Sequence, residues 1–214
     1  MSDALIETVT GFETRDKVVV GVIADTHVPD RVDRLHPELL DRLKANHVDI
    51  ILHGGDICSP GVLEQVGAIA PVYAVRGNRD FYFLNLLPMS RTMTLAGHHL
   101  ALTHGHGGIQ PYLFNKIKMF LTGYNLGIFL PTILQSVPDA DVYVFGHTHF
   151  SVNFWYNGNR LLFNPGSCST VFKPSVPSFG ILRLEKDKKA EGEIIELKGE
   201  RVKNRRWVKE KSNS

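Results

Sequence analysis

A chain of 214 residues with 43% hydrophobic content carries enough apolar material for one full core, and 24 basic against 22 acidic residues leave a net charge of only +2. That balance excludes a global case for nucleic-acid or membrane-surface binding, so any such patch has to be local. The two cysteines, Cys58 and Cys168, neither build a disulfide framework nor stand at ligand spacing, and the N-terminal "MSDALIETVTGFETRD" lacks a signal peptide's basic-then-apolar pattern, so a cytoplasmic protein is expected.

Residues 1–16 are read as an N-terminal extension. "KVVVGVIA" (17–24) is β-branched and small, the composition of a strand buried on both faces. "HPELLDRLKAN" (36–46) has the spacing of an amphipathic helix, "VDIILH" (48–53) is a second buried strand, "GVLEQVGAI" (61–69) is helical and "PVYAVR" (71–76) extended. Such a βαβαβ run predicts a parallel sheet covered by helices. Beyond residue 80 the pattern turns antiparallel. "TMTLAG" and "HLALTH" flank a turn assigned to His98-His99, "DVYVFG" (141–146) is another apolar strand, and "FWYNGNRLLF" carries Asn157-Gly158, a strong hairpin signal. "SFGILRLE" and "GEIIELKG" complete the set, which predicts an α/β fold of two mixed sheets packed face to face with helices outside.

The strand ends carry the chemistry. The first strand runs into Asp25-Thr26-His27, the second into "HGGD" (53–56), the third into "GNRD" (77–80), the hairpin strand into "THGH" (103–106) and the strand at 141–146 into "HTH" (147–149). In open α/β sheets the carboxyl edge is where strands bring distant segments to one crevice. Alternation along a strand predicts that Asp25 and His27 point the same way. The collected Asp25, His27, Asp56, Asn78, His104, His147 and His149 form a mixed oxygen and nitrogen set without a thiolate, which suits manganese, iron, zinc, cobalt or nickel better than calcium. Seven groups exceed the needs of one ion. Two ions sharing a carboxylate would use them all, and such pairs suit in-line displacement at phosphorus.

The order D-x-H, G-G-D, G-N-x-D, H-G-H and G-H-T-H resembles the calcineurin-like metallophosphoesterase superfamily, in its compact prokaryotic phosphodiesterase branch, over about residues 17–198. "NPGS" (164–167) matches the same branch. The resemblance implies an αββα sandwich and a phosphodiesterase with two divalent cations, manganese foremost. It assigns Asp25, His27 and His149 to the first ion and Asn78, His104 and His147 to the second, with Asp56 bridging both and a hydroxide between them as the nucleophile. Small phosphate esters are the implied substrates. Two other readings share the fold: a non-catalytic scaffold like the small subunit of the retromer coat, in which ligand positions have changed, and a metal-dependent nuclease.

Arg79 departs from the pattern, since many members carry histidine there, facing the leaving group. Arginine stays protonated and cannot act as a general acid. It is expected either to clamp a phosphate oxygen or to pair with an acid such as Asp80. His106, beside His104, is a candidate to touch substrate or a bound water. Asp56, Asn78, His104, Arg79 and His106 make up the expected catalytic group, and Asp80 is expected to orient a neighbouring histidine or loop. His53 is expected to be a hydrogen-bonded core residue, and His36 and His47 surface residues flanking the helix.

Between His104 and His147 lie 42 residues, including the largely apolar "PYLFNKIKMFLTGYNLGIFLPTIL" (111–134), whose charges are Lys116 and Lys118 alone. Interrupted by Gly, Asn, Thr and Pro, it is too short for a membrane span. It predicts a helical insertion near 107–138, serving as core-packed helices, a subunit contact, a lid over the site or an interfacial helix. The basic tail at 199–214 is expected to be solvated, with Trp207 leaving room for an RNA or anionic lipid contact.

Overall fold

Lys17–Ile23 forms strand β2, and its side chains sort by the period of two. Val18, Val20 and Val22 face the core between the sheets, while Val19 and Ile23 face the helical side. Between them Gly21 allows close approach, because a Cβ there would lie 2.8 Å from Leu43 Cδ2 on helix α1. Each fully buried valine or isoleucine stabilises the fold by about 1.5–3 kcal/mol. In the computed structural model, which describes residues 6–11, 14–80, 84, 86–169 and 176–210, β2 is the middle strand of a five-stranded sheet.

In chain order the elements are β1 (Ile6–Val9), β2, α1 (Leu39–Ala45), β3 (Ile50–His53), α2 (Pro60–Gly67), β4 (Val72–Ala74), β5 (Ser90–Leu95), β6 (His98–Thr103), α3 (Ile109–Thr122), a 3-10 turn (Leu126–Ile128), α4 (Leu130–Ser136), β7 (Val142–Val144), β8 (Ser151–Tyr156), β9 (Arg160–Pro165), β10 (Ser178–Glu185), β11 (Glu191–Glu196), β12 (Glu200–Lys203) and β13 (Arg206–Lys209). One sheet runs β11-β10-β2-β3-β4 and the other β1-β5-β6-β7-β9-β8. Both are mixed: β2, β3 and β4 are parallel with β10 antiparallel, and β6, β7 and β9 are parallel between antiparallel β5 and β8. The sheets pack face to face through Val20, Leu52, Leu102, Val144, Phe163 and Leu182. Helices α1 and α2 cover one outer face. The 3-10 turn and α4 cover the other, with Phe129 and Ile133 over Tyr143 and Phe145. The predicted sandwich of two mixed sheets with helices outside is thus the fold of the chain.

Several details differ from the sequence reading. Helix α1 starts at Leu39 rather than 36, because His36 precedes a proline and is biased away from helical backbone. The β5–β6 turn is Ala96-Gly97, both left-handed at φ 48° and 81°, so His98 and His99 begin the second strand. The described part of the N-terminal segment adds β1 parallel to β5 at a sheet edge. The described part of the tail is not solvated chain but the β12–β13 hairpin. Trp207 anchors it: its ring is buried edge-on against His36 at 4.6 Å, and Nε1 donates to the Arg34 carbonyl at 2.9 Å. That packing also buries His36, against the surface position expected, while His47 is exposed as predicted. No helix among the described residues is long and apolar enough to cross a membrane.

Candidate metal centre

The carboxyl ends of β2, β3, β4, β6 and β7 open onto one crevice, and the loops that follow them are stitched together. Asp25 N donates to the Gly55 carbonyl at 3.0 Å, His27 N to the Asp56 carbonyl at 3.0 Å, and Gly146 N to the His104 carbonyl at 3.3 Å. Strand alternation is not what aims Asp25 and His27, since β2 has ended at Ile23. Both take left-handed backbone, at φ 52° and 51°, as do Asp56 (53°), His147 (71°) and His149 (60°). Asp, Asn and His tolerate this region better than other side chains, at a cost of about 1–3 kcal/mol each. Close approach is needed too: a Cβ on Gly77 would collide with Asp56 N and Oδ1.

Acceptor atoms converge in the crevice. Asp25 is fully buried; its Oδ2 accepts from His147 N at 3.0 Å, whereas Oδ1 accepts no hydrogen bond and lies 3.4 Å from His149 Nε2 and 3.9 Å from His27 Nε2. Those two imidazole nitrogens face each other at 3.1 Å. On the other side, His104 Nδ1 is 2.6 Å from the Gly54 carbonyl and must donate to it, so Nε2 carries a lone pair, aimed at Asn78 Oδ1 3.1 Å away. Asp56 stands between the two clusters: Oδ1 is 3.5 Å from His104 Nε2 and Oδ2 is 3.8 Å from His27 Nε2. Asp25, His27 and His149 bring ligand atoms within 4.8 Å of one another, and so do Asp25, Asp56 and His104. Asn78 joins the second cluster through His104. His147 stands beside both, its ring 5.0 Å from that of His104 and packed near Tyr112 and Phe129.

Burial pushes His27 and His147 down to about 3 and His106 to about 2, so all three are neutral at physiological pH. For Asp25, burial opposes ionisation, but His149, His104 and His27 outweigh it and hold the carboxyl below its usual range. Burial pushes Asp56 up to about 6, with His104 opposing. Buried carboxylates and neutral imidazoles with lone pairs turned inward are costly without a cation and suited to a divalent one. A third cluster, His27, Asp30 and Cys58, was not foreseen. It uses the other nitrogen of His27, and burial pushes the Cys58 thiol up, against forming a thiolate ligand.

Groups behind the ligands fix the loops. The Asp80 carboxylate accepts four backbone N–H groups, from Asp56, Ile57, Cys58 and Gly77, at 2.8–2.9 Å; it orients the loop, as one of its two expected roles had it. Asn164 donates to the Gly146 carbonyl at 2.9 Å and Thr148 Oγ1 at 3.1 Å. Ser167 and Ser169 both donate to the Asp25 carbonyl, at 2.8 and 2.9 Å. The "NPGS" stretch signalled Asn164 and Ser167 without revealing what they do, and Ser169 lies beyond it. His53 is the hydrogen-bonded core residue expected, accepting from Gly55 N at 3.2 Å and meeting Thr26 Oγ1 at 3.1 Å.

A cavity of about 530 Å³ opens over the cluster. Asp56, Asn78, His147 and His149 line one side with Arg31 and Arg79; Tyr112, Lys116, Met119, Tyr124, Phe129 and Phe150 line the rest, much of it from the insertion. Arg79 forms a bidentate pair, but with Asp30 at 2.6 and 3.0 Å rather than with Asp80. His106 does not line this cavity; its buried ring lies 5.2 Å from that of His104, and its Nδ1 has no hydrogen-bond partner.

Comparison with known proteins agrees with this geometry. Residues 18–187 match the family model described as the calcineurin-like phosphoesterase superfamily domain. A probable metallophosphoesterase of Methanothermobacter thermautotrophicus is 33% identical over 178 residues, covering 83% of this chain and 92% of that one. Among solved structures, vacuolar protein sorting 29 from Cryptosporidium parvum aligns with a TM-score of 0.64 at 23% identity, over 86% of this chain and 99% of that one. A protein described as a novel archaeal phosphodiesterase aligns with a TM-score of 0.56 at 22% identity, over 84% and 99%. These two likenesses show the fold alone. The chain belongs to the calcineurin-like phosphoesterase superfamily, and that membership supports a hydrolase acting on phosphoester bonds.

Proposed function

We propose that the chain is a phosphodiesterase working with two divalent cations, manganese foremost. One observation carries this reading: the two clusters of inward-facing lone pairs, with Asp56 between them and Asp25 Oδ1 without a hydrogen bond. Asp25, His27 and His149 would hold one cation, and Asn78, His104 and His147 the other, with Asp56 shared. Cations there would supply Lewis-acid activation of water for attack on phosphorus.

The chain's own side chains do the rest. Arg79, steadied by Asp30, binds a non-bridging phosphate oxygen, with Arg31 and Lys116 adding positive charge at the cavity wall. The aromatic wall of Tyr112, Tyr124, Phe129 and Phe150 takes a second ester substituent, which favours diesters over monoesters. His106, neutral and buried against His104, steadies that ligand rather than donating a proton.

Reconstitution with manganese, metal analysis and turnover of phosphodiesters, phosphomonoesters, cyclic nucleotides and short RNA test the proposal. Two ions per chain and diester turnover that Asn78→Ala abolishes are expected. One ion or none, with Asn78→Ala changing nothing, rejects it. Metal binding without turnover favours the scaffold reading, and preference for RNA favours a nuclease.

A further inference from the structure

Helix α3 contradicts the normal placement of apolar side chains. Of its 14 residues Asn115 alone is buried, while Ile109 (70% exposed), Phe114 (67%), Ile117 (61%), Phe120 (88%) and Leu121 (74%) stand in solvent with Leu113. At 100° per residue these six side chains share an arc of about 140°. Tyr112 and Met119 lie on the opposite side and line the cavity. Lys116 and Lys118 fall just outside the two edges of the apolar arc, where a lysine can lay its stem along apolar material and keep its ammonium in water. From Asp80 to Asp139 the sequence contains no acidic residue.

We infer that the outer face of α3 docks on an anionic lipid surface. A wide apolar arc bordered on both sides by lysine is the pattern of a helix lying in the plane of a membrane interface. Charge selects this occupant over a second copy of the chain. Two α3 faces packed together would set four lysines around one apolar patch with no acid from either insertion, whereas anionic headgroups supply the opposite charge. Docked this way, Lys116, which lies between the apolar arc and the cavity, sets the cavity wall beside the headgroup layer. The inference does not depend on which ester is hydrolysed.

The test is co-sedimentation of the full chain with phosphatidylcholine vesicles, with and without a minority fraction of phosphatidylglycerol. Binding is expected with the anionic lipid and falls with salt. The double variant Ile117→Asp/Phe120→Asp should weaken it by about tenfold or more, and Lys118→Glu by about fivefold or more. Circular dichroism and turnover of a small soluble ester serve as controls, because these side chains are exposed and outside the cavity. Equal binding to neutral and anionic vesicles, no binding to either, or unchanged binding by the double variant overturns the inference. So does a wild-type dimer that ignores vesicles and that Ile117→Asp/Phe120→Asp converts to monomer, since a second copy is then what covers the face.

Discussion

Asp25 and Phe120 are equally out of place by polarity: the carboxylate is fully buried and the phenyl ring is 88% exposed. Around Asp25 the backbone is stitched loop to loop and nearly every polar group has a fixed partner, whereas α3 holds to the rest of the molecule through little more than Asn115 and its cavity-facing side. The buried polar cluster is held by loop-to-loop hydrogen bonds, at a cost in desolvation. The exposed apolar helix leaves its gain in burial unrealised. Each departure has its own chemistry: the buried donor set suits a cation, and the exposed arc suits an apolar phase.

The sharpest way to separate the two regions is a pair of single substitutions. Asp56→Ala should lower metal-dependent turnover by about 10²–10³, the scale of losing a central electrostatic group in an active site. Leu113→Ala, on the exposed arc, should leave turnover of a soluble ester within about twofold and stability within about 0.5 kcal/mol. Equal losses from both would break the comparison.

Asp80 tests how far the loop positions the cluster. Asp80→Ala strands four backbone N–H groups and should cost about 3–5 kcal/mol in urea denaturation. Metal affinity, read by titration calorimetry, should weaken about 10–100-fold. An unchanged affinity would mean that the cation, not the loop, organises the ligands.

Arg79 lies at the border between the regions. Arg79→Ala should raise the barrier by about 1.5–3 kcal/mol, the range of a charge-assisted hydrogen bond. In aryl phosphodiesters of graded leaving-group acidity the wild type should show a steep dependence, and Arg79→His a flatter one with an added acid in the pH profile. A shallow slope common to all three proteins would confine Arg79 to its pair with Asp30.

The smallest effect expected is at His36, outside both regions. Burial holds His36 below its ordinary 6.5, with Glu38 and Glu200 opposing. The unfolded chain therefore takes up this proton more readily than the folded one. Its effect on stability is nil above about 6.5 and becomes a loss as pH falls below that value. Urea midpoints across this window should fall less steeply for His36→Gln than for wild type, with Trp207 fluorescence reporting the hairpin. Parallel curves would show that His36 is not the group responsible.

The sheets were legible in the sequence because runs such as "KVVVGVIA" have no alternative to burial, and the candidate site was legible because five such runs end in residues with oxygen and nitrogen donor atoms. What the sequence hid was the backbone that follows. Side-chain period places Val18 to Ile23 correctly but stops with the strand, and Asp25 and His27 are then aimed by dihedrals that no residue pattern announces. Partners far apart in sequence were equally hidden. Asp30 reaches Arg79 across 49 positions and Trp207 reaches Arg34 across 173, each determined by how loops fold back rather than by anything local. The apolar composition of 111–134 was plain, but not that its Ile, Leu and Phe side chains would face outward.

The left-handed backbone at Asp25, His27, Asp56, His147 and His149 bears on which substitutions this chain can tolerate. At those five positions valine, isoleucine and threonine are barred by the main chain before any question of ligation arises, while glycine and asparagine fit the backbone and lose only the ligand. Asn78 and His104 lie outside that set, so no backbone bar applies there, although the buried His104 ring also holds the Gly54 carbonyl. A complete substitution scan read separately for abundance and for activity would set apart the five positions at which β-branched replacements lower abundance through the main chain, with Asn78 the one expected to report most nearly on activity alone.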